Sequence, residues 1–234
     1  MHPRAMTLDG IELVLPEQSR STGGQVLNAI LAMADRAIDR LRSESSTPVA
    51  AVGRLRGTGR GVHFRDLIHV LESEHPLKLV APFEDSELVA GAAWDASNVR
   101  GITSAGALAK LRWNAGADDL PMHVHEHSDR FIIVHEGRGF FHASNQTADQ
   151  FDGSDVRSIP ARERDVFLFT RGVIHTFSTL DEPMTLLSCQ LPYLAFDDPR
   201  QYRLPSFRWI ARDQPERRTP TVACDPAWSV LASQ

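Results

Sequence analysis

Cysteine is almost absent from this 234-residue chain, which has only Cys189, inside an apolar run, and Cys224, in a polar stretch. Settings so unlike argue against a structural disulfide and fit a reducing compartment. A basic excess is also missing: 25 Lys and Arg stand against 30 Asp and Glu, a formal net charge of -5. That removes the concentrated basic face that nucleic acid or an acidic membrane surface would require. No window approaches the roughly 20 apolar residues of a bilayer span, and no basic start runs into a long apolar stretch. The expectation is a cytoplasmic protein with neither nucleic-acid nor membrane partners. No repeat at solenoid or propeller spacing is found. What is present, 42% hydrophobic and 24% charged residues, is ordinary globular composition with enough chain for a full core.

Residues 1–24 read as an arm with room for one edge strand in IELVLP. From Gln25 to Arg42 the residues Val26, Leu27, Ile30, Leu31, Ala34, Ala37, Ile38 and Leu41 recur at three- and four-residue steps, with Asp35, Arg36, Asp39 and Arg40 opposite. This is an amphipathic helix that covers a core or a subunit contact. The following VAAVGRLRGTGRG, with Arg54, Arg56 and Arg60, lacks the spacing of a phosphate loop and reads as a flexible basic connector. Phe64, Leu67, Ile68 and Leu71 predict a second, shorter helix stopped by Pro76; His63, His69 and His75 on or beside it are surface or packing residues. Beyond Pro76 short apolar runs broken by Gly, Pro, Asn and Asp continue to about Pro192 and predict an antiparallel sandwich or barrel. Within it DRFIIVHEG, a GRG turn and FFHAS read as a hairpin, and Ser144 to Asp155 as a loop. From Asp197 onward a wrapping segment and a mobile tail are expected.

The chemistry concentrates in PMHVHEHSDRFIIVHEG, residues 121–137. His123 and His125 are two residues apart, so on an extended strand both imidazoles project to one face. His175, in DVFLFTRGVIHTF, lies on a later strand that can pair against them. Neutral imidazoles in that number suit iron, zinc, copper or nickel. His127, two residues beyond His125, falls in a polar stretch and reads as a loop residue. His135 has the parity of Phe131 and Ile133 and so belongs outside the pocket, at a surface or interface. His142 is left undecided, because its register depends on the preceding turn.

Gly116, His123, His125 and Gly137 fall in the order of the first motif of the cupin superfamily, and Arg164-Asp165, Gly172, His175 and Thr179 follow its second, with the flanking Gly, Pro and Asn replaced. The chain thus resembles a cupin over roughly residues 100–195. The resemblance implies a mainly β fold, the cupin double-stranded β-helix or jelly-roll barrel, here at 96–195. An N-terminal helical extension with two helices and edge strands would occupy 1–95, and a wrapping segment with a tail 196–234. It also implies a small-molecule substrate, a homodimer, and a divalent transition metal: Fe(II) first, with Zn, Ni or Mn as alternatives.

One departure is consequential. Arg130 stands where the family places a ligand glutamate, and a guanidinium has no lone pair to donate. Three arrangements follow: His123, His125 and His175 alone hold the metal; Asp129 joins them, one residue off register; or no metal binds. The first is favoured, since packing does not account for such a set of histidines. Arg130 itself, buried if it faces the barrel, is either paired with Asp129, Glu126 or Asp165, or clamps a substrate oxyanion as a catalytic residue. The pocket wall is expected to include Trp113 (or Leu111), Ile132, Val134, Phe140 or Phe141, and Phe177. Its mouth would be closed by the helices or by Tyr193 to Tyr202. The function expected is a metal-dependent cupin enzyme, a non-haem iron dioxygenase acting on a small organic acid. The alternatives are a non-catalytic ligand-binding or sensory cupin, and a metal-dependent isomerase or lyase.

Overall fold

The computed structural model describes residues 6–12, 23–56, 63–74, 78–80, 83, 85–94, 107–195 and 198–214. Expectations for Arg60, His75, Cys224 and the tail after residue 214 lie outside the described residues. The strands are β1 (Met6–Glu12), β2 (Ala50–Arg56), β3 (Lys78–Val80), β4 (Val89–Trp94), β5 (Ala107–Trp113), β6 (His123–Val124), β7 (Asp129–Ser144), β8 (Arg157–Arg162), β9 (Asp165–Phe169), β10 (Ile174–Ser178) and β11 (Met184–Leu191). The helices are α1 (Gly23–Glu44) and α2 (Leu67–Glu74), the latter preceded by a single 3-10 turn, Phe64–Asp66.

The large sheet runs β1-β2-β9-β7-β11-β5-β4-β3, antiparallel apart from the β1–β2 pair. A smaller antiparallel sheet runs β6-β10-β7-β8. Strand β7 belongs to both, and the two sheets close face to face as a jelly-roll barrel. Period-two alternation sorts the side chains. Ile132 and Val134 of β7, Phe167 and Phe169 of β9 and Leu186 of β11 fill the barrel. Their neighbours Phe131, Ile133, Val166, Leu168, Leu187 and Cys189 face outward, onto α1. There Val26, Leu27, Ile30, Ala34, Ile38 and Leu41 are all buried, each burial contributing about 1.5–3 kcal/mol for the larger side chains. The predicted amphipathic stripe is thus the cover of the large sheet's outer face.

Two expectations need correction. The supposed hairpin over 129–144 is one 16-residue strand. Gly137, at φ 77°, does not reverse the chain but bends it from the large sheet into the small one; a Cβ there would stand 2.0 Å from the Pro183 carbonyl oxygen. Residues 50–56 of the expected basic connector are strand β2, paired with β9 from Ala50↔Phe169 to Arg54↔Asp165. Its glycine and arginines hid an alternation in which Ala51 and Leu55 face α1 while Val52 faces the barrel. Strands β1 to β4, from the first 95 residues, flank β9 and β5 in the large sheet.

The glycine positions of the resemblance have a physical basis. Gly116, Gly137 and Gly172 all have positive φ, and so does Arg164 (φ 75°), which occupies the place of the motif's Gly before Asp165. Arg164 is held there with its guanidinium 4.8 Å over the Phe64 ring. On the far side of the small sheet, Trp209 and Ala211 of the 198–214 segment pack on Met122, Val124 and Ile174.

Candidate metal centre

Strand β6 pairs with β10 so that His123 and His175 are direct cross-strand partners, and His125 follows on the face of His123. The three side chains are buried, with one ligand nitrogen from each within 4.8 Å of the others. Their ring centroids are 4.6–5.1 Å apart. Donors sharing one ion at roughly 2.1 Å stand about 3–3.5 Å apart, so the three rings would draw closer around a metal.

The backbone fixes which nitrogen is offered. Nδ1 of His123 donates to the Pro121 carbonyl at 3.1 Å, Nδ1 of His175 to the Val173 carbonyl at 3.0 Å, and Nδ1 of His125 to the Gln201 carbonyl at 2.5 Å. Each Nε2 is left with its lone pair, the form a metal requires. Burial drives the His123 pKa from 6.5 to about 4. It holds His125 and His175 well below 6.5, with the charge of Arg130 acting in the same direction. At neutral pH all three rings are neutral, and protons do not compete for the donors. The donor set therefore fits a divalent transition metal.

Asp129 is not a fourth ligand. Adjacent residues of a strand face opposite ways, so Asp129 looks outward with Phe131, where its carboxylate meets Arg42 of α1 and accepts the Arg171 backbone N–H at 2.8 Å. Arg130 looks inward and is 4% exposed. None of the acids expected to pair with it does so: Glu126 binds Arg203 at 2.7 Å and Asp165 binds Arg54 at 2.6 Å. Among the described residues Arg130 makes no ion pair. It donates instead to neutral oxygens: Ser128 Oγ, the Asp129 carbonyl at 3.3 Å and Gln201 Oε1 at 3.1 Å. Burial lowers its pKa to about 9, against the nearby charge of Asp129, so it is still a cation at neutral pH.

A cavity of about 40 Å³ lies between the imidazoles and this guanidinium. At roughly 10–15 Å³ per water-sized centre it holds a few waters or one very small ligand. Ile132 and Phe177 line it with Leu111 and Ala109. Trp113 and Val134, expected in the wall, do not: they are buried in the barrel core among Phe141, Phe167 and Met184. Sequence reasoning missed Ser188 and Gln190, which share an inward parity opposite Ile132 and Arg130, a signal readable in the alternation of β11. It also did not single out Gln201 and Tyr202, for which no motif exists, although the 193–202 segment was expected at the mouth. The Tyr202 hydroxyl donates to Asp85 at 3.0 Å, and the Phe83, Tyr202 and His123 rings pack against one another, with centroids 5.0–5.6 Å apart. The helices lie outside the barrel and play no part in this closure.

The remaining histidines are accounted for. His127 is exposed in the loop. His135 is no surface residue: it is buried under the 3-10 turn, its Nε2 at 3.1 Å from the Phe64 carbonyl. His142 faces away from the centre, between the hydroxyls of Ser158 and Ser178 and against Trp209.

No family model matches this chain, and no curated protein does. Among solved structures it is similar to a variant of oxalate decarboxylase from Bacillus subtilis, at 20% identity over 47% of this chain and 28% of that one, TM-score 0.38. It is similar also to vicilin from hazelnut, Corylus avellana, at 14% identity over 48% and 31%, TM-score 0.38. A third is a sugar phosphate isomerase from a cupin superfamily, from Silicibacter pomeroyi, at 20% identity over 43% and 59%, TM-score 0.33. The chain spans less than a third of the length of the first two. Inside the barrel, His123 on β6 and His125 just beyond it meet His175 on the partner strand β10, in the order that the sequence motifs place them. No described helix is long and apolar enough to cross a membrane.

Proposed function

We propose that this three-histidine barrel is a metal-dependent cupin enzyme acting on a small organic acid, with Fe(II) as its metal and a dioxygenase reaction. One observation carries the choice of substrate: Arg130 is a buried cation with no carboxylate partner among the described residues, beside three neutral donors. A divalent ion held by neutral imidazoles would add further positive charge to a cavity lined by no carboxylate. Uncompensated charge of that kind is strongly disfavoured in a protein interior, and an anionic ligand completes the balance.

His123, His125 and His175 would hold the metal through Nε2, with their Nδ1 protons anchored on carbonyls. When bound, it supplies Lewis-acid and redox chemistry with coordination positions to spare. The Arg130 fork binds a carboxylate at two points and so fixes the rest of the molecule relative to the imidazoles. Ile132, Phe177 and Leu111 shield the site from water on one side, and Gln201 and Tyr202 close it on the other. Ser188 and Gln190, the cross-strand neighbours of Ile132 and Arg130, offer polar contacts on the same wall. The preference for iron over zinc, nickel or manganese rests on the resemblance and on the all-imidazole donor set.

The test is elemental analysis of freshly purified protein, followed by oxygen-uptake measurements with a panel of small carboxylic acids. About one iron per chain and acid-dependent uptake, both lost in His123→Ala and His175→Ala, are expected. Uptake that survives both substitutions overturns the proposal. A tightly bound non-redox metal without uptake would move the reaction to the isomerase or lyase class.

A further inference from the structure

Gln201 touches both halves of the centre. Its backbone carbonyl accepts the His125 Nδ1 proton at 2.5 Å, while its side-chain Oε1 accepts from Arg130 Nη2 at 3.1 Å. The amide is oriented without ambiguity, because its Nε2 faces three oxygens: Gln190 Oε1 at 3.2 Å and the carbonyls of Leu194 and Ala195 at 2.7 and 2.8 Å. With only two hydrogens for three acceptors, that end is fully committed. The result is a neutral carbonyl oxygen, 7% exposed as a residue, pressed against the one buried guanidinium of the cavity.

Arg130 is poorly served by this arrangement. Its Nη2 also lies 3.0 Å from His125 Nδ1. A nitrogen that gives its proton to the Gln201 carbonyl cannot accept another, so the contact is a close approach of two N–H groups. A guanidinium reaches its strongest hydrogen bonds with a carboxylate that takes two of its donors together, and nothing in the cavity lining provides one.

We propose that the Gln201 side chain is a placeholder, seated where a ligand carboxylate belongs on Arg130, and that binding swaps one for the other. This rests on the carboxylate-clamp reading of Arg130 and deepens it: the ligand must be anionic, since a neutral one gains nothing over the amide it displaces. The 198–203 segment has the attachments such an exchange requires. Arg203 is fastened on the outer side by two backbone hydrogen bonds to Val124, both 2.9 Å, and by its ion pair with Glu126. The Gln201 side chain can therefore withdraw while the segment stays anchored beyond it.

Calorimetric titration of the full-length protein with sodium acetate tests the exchange. Gln201→Ala removes the competing oxygen and is expected to bind acetate about ten-fold more tightly than the parent, the value of one ordinary hydrogen bond. Gln201→Glu tethers a carboxylate beside Arg130 and is expected to weaken acetate binding at least about ten-fold. Should either fail to melt cooperatively, Gln201→Asn replaces it, its shorter side chain withdrawing the oxygen from Arg130 and tightening acetate as alanine would. Acetate binding that is lost in Arg130→Met yet equal in the parent and the Gln201 variants overturns the placeholder and leaves the clamp standing. Acetate binding untouched by Arg130→Met, or absent from the parent and all variants alike, overturns the clamp and the placeholder with it.

Discussion

Replacing Arg130 with methionine separates a ligand clamp from a structural cation. The fall of its pKa from the ordinary arginine value to about 9 on burial corresponds to about 5 kcal/mol held against the folded state at neutral pH. The sign follows from the group being a base: the unfolded chain binds the proton more tightly, so the penalty is fully present below the folded pKa. Three hydrogen bonds, to Ser128, the Asp129 carbonyl and Gln201, oppose it. At about 1.5 kcal/mol each for a charged donor, they nearly cancel it. Methionine is similar in reach and carries no charge, so Arg130→Met should leave the stability of metal-free protein within about 2 kcal/mol of the parent. A cation whose role is a buried ion pair would instead cost about 3–5 kcal/mol on removal. Urea unfolding of chelator-treated protein measures the difference. Acetate affinity, followed in parallel, should drop by about two orders of magnitude, since two charge-assisted hydrogen bonds are lost. A stability loss above about 3 kcal/mol with acetate affinity unchanged would refute the reasoning at both points.

Asp129→Asn should cost about 2 kcal/mol, because its carboxylate is fully buried while Arg42 and Arg171 are half exposed; metal content measured by mass spectrometry should not change, and a loss of metal would contradict its outward placement. For metal-free protein, stability should fall as pH drops from about 6.5 toward 4, since the unfolded chain protonates histidines that the fold keeps neutral; His123 alone, with a folded pKa of about 4, accounts for about 3 kcal/mol. Urea midpoints that are equal at pH 7 and pH 4.5 would oppose the burial argument. Gly137→Ala should destabilise by more than about 3 kcal/mol or prevent soluble expression, because φ is positive and the added carbon meets the Pro183 carbonyl oxygen; a variant that melts like the parent would show that β7 does not need this bend.

Much of the centre was legible in the sequence because it depends on parity. Two residues separate His123 from His125, and odd and even positions of β7 divide Arg130, Ile132 and Val134 from Phe131, Ile133 and His135, so the faces could be assigned without coordinates. The α1 stripe was equally plain, since its period is set by the helix itself. What failed did so where glycine carries two meanings: in GRG it bends a continuous strand, and in VGRL it interrupts an alternation without ending it. Trp113 and Val134 have the correct parity for the pocket but lie too deep along the barrel, and depth is not encoded in alternation. Gln201 was beyond reach because its position depends on a path without regular structure.

The adjacency of Asp129 and Arg130 has a consequence for how centres of this kind diverge. Along β7 the identity of the group presented to the cavity is decided by phase: slipping the strand by one position would turn the carboxylate toward the imidazoles and the guanidinium toward the helix. The apolar residues that follow, Phe131 through Val134, would trade places with little change in character. A single inserted or deleted residue upstream would thereby exchange a guanidinium beside the imidazoles for a carboxylate.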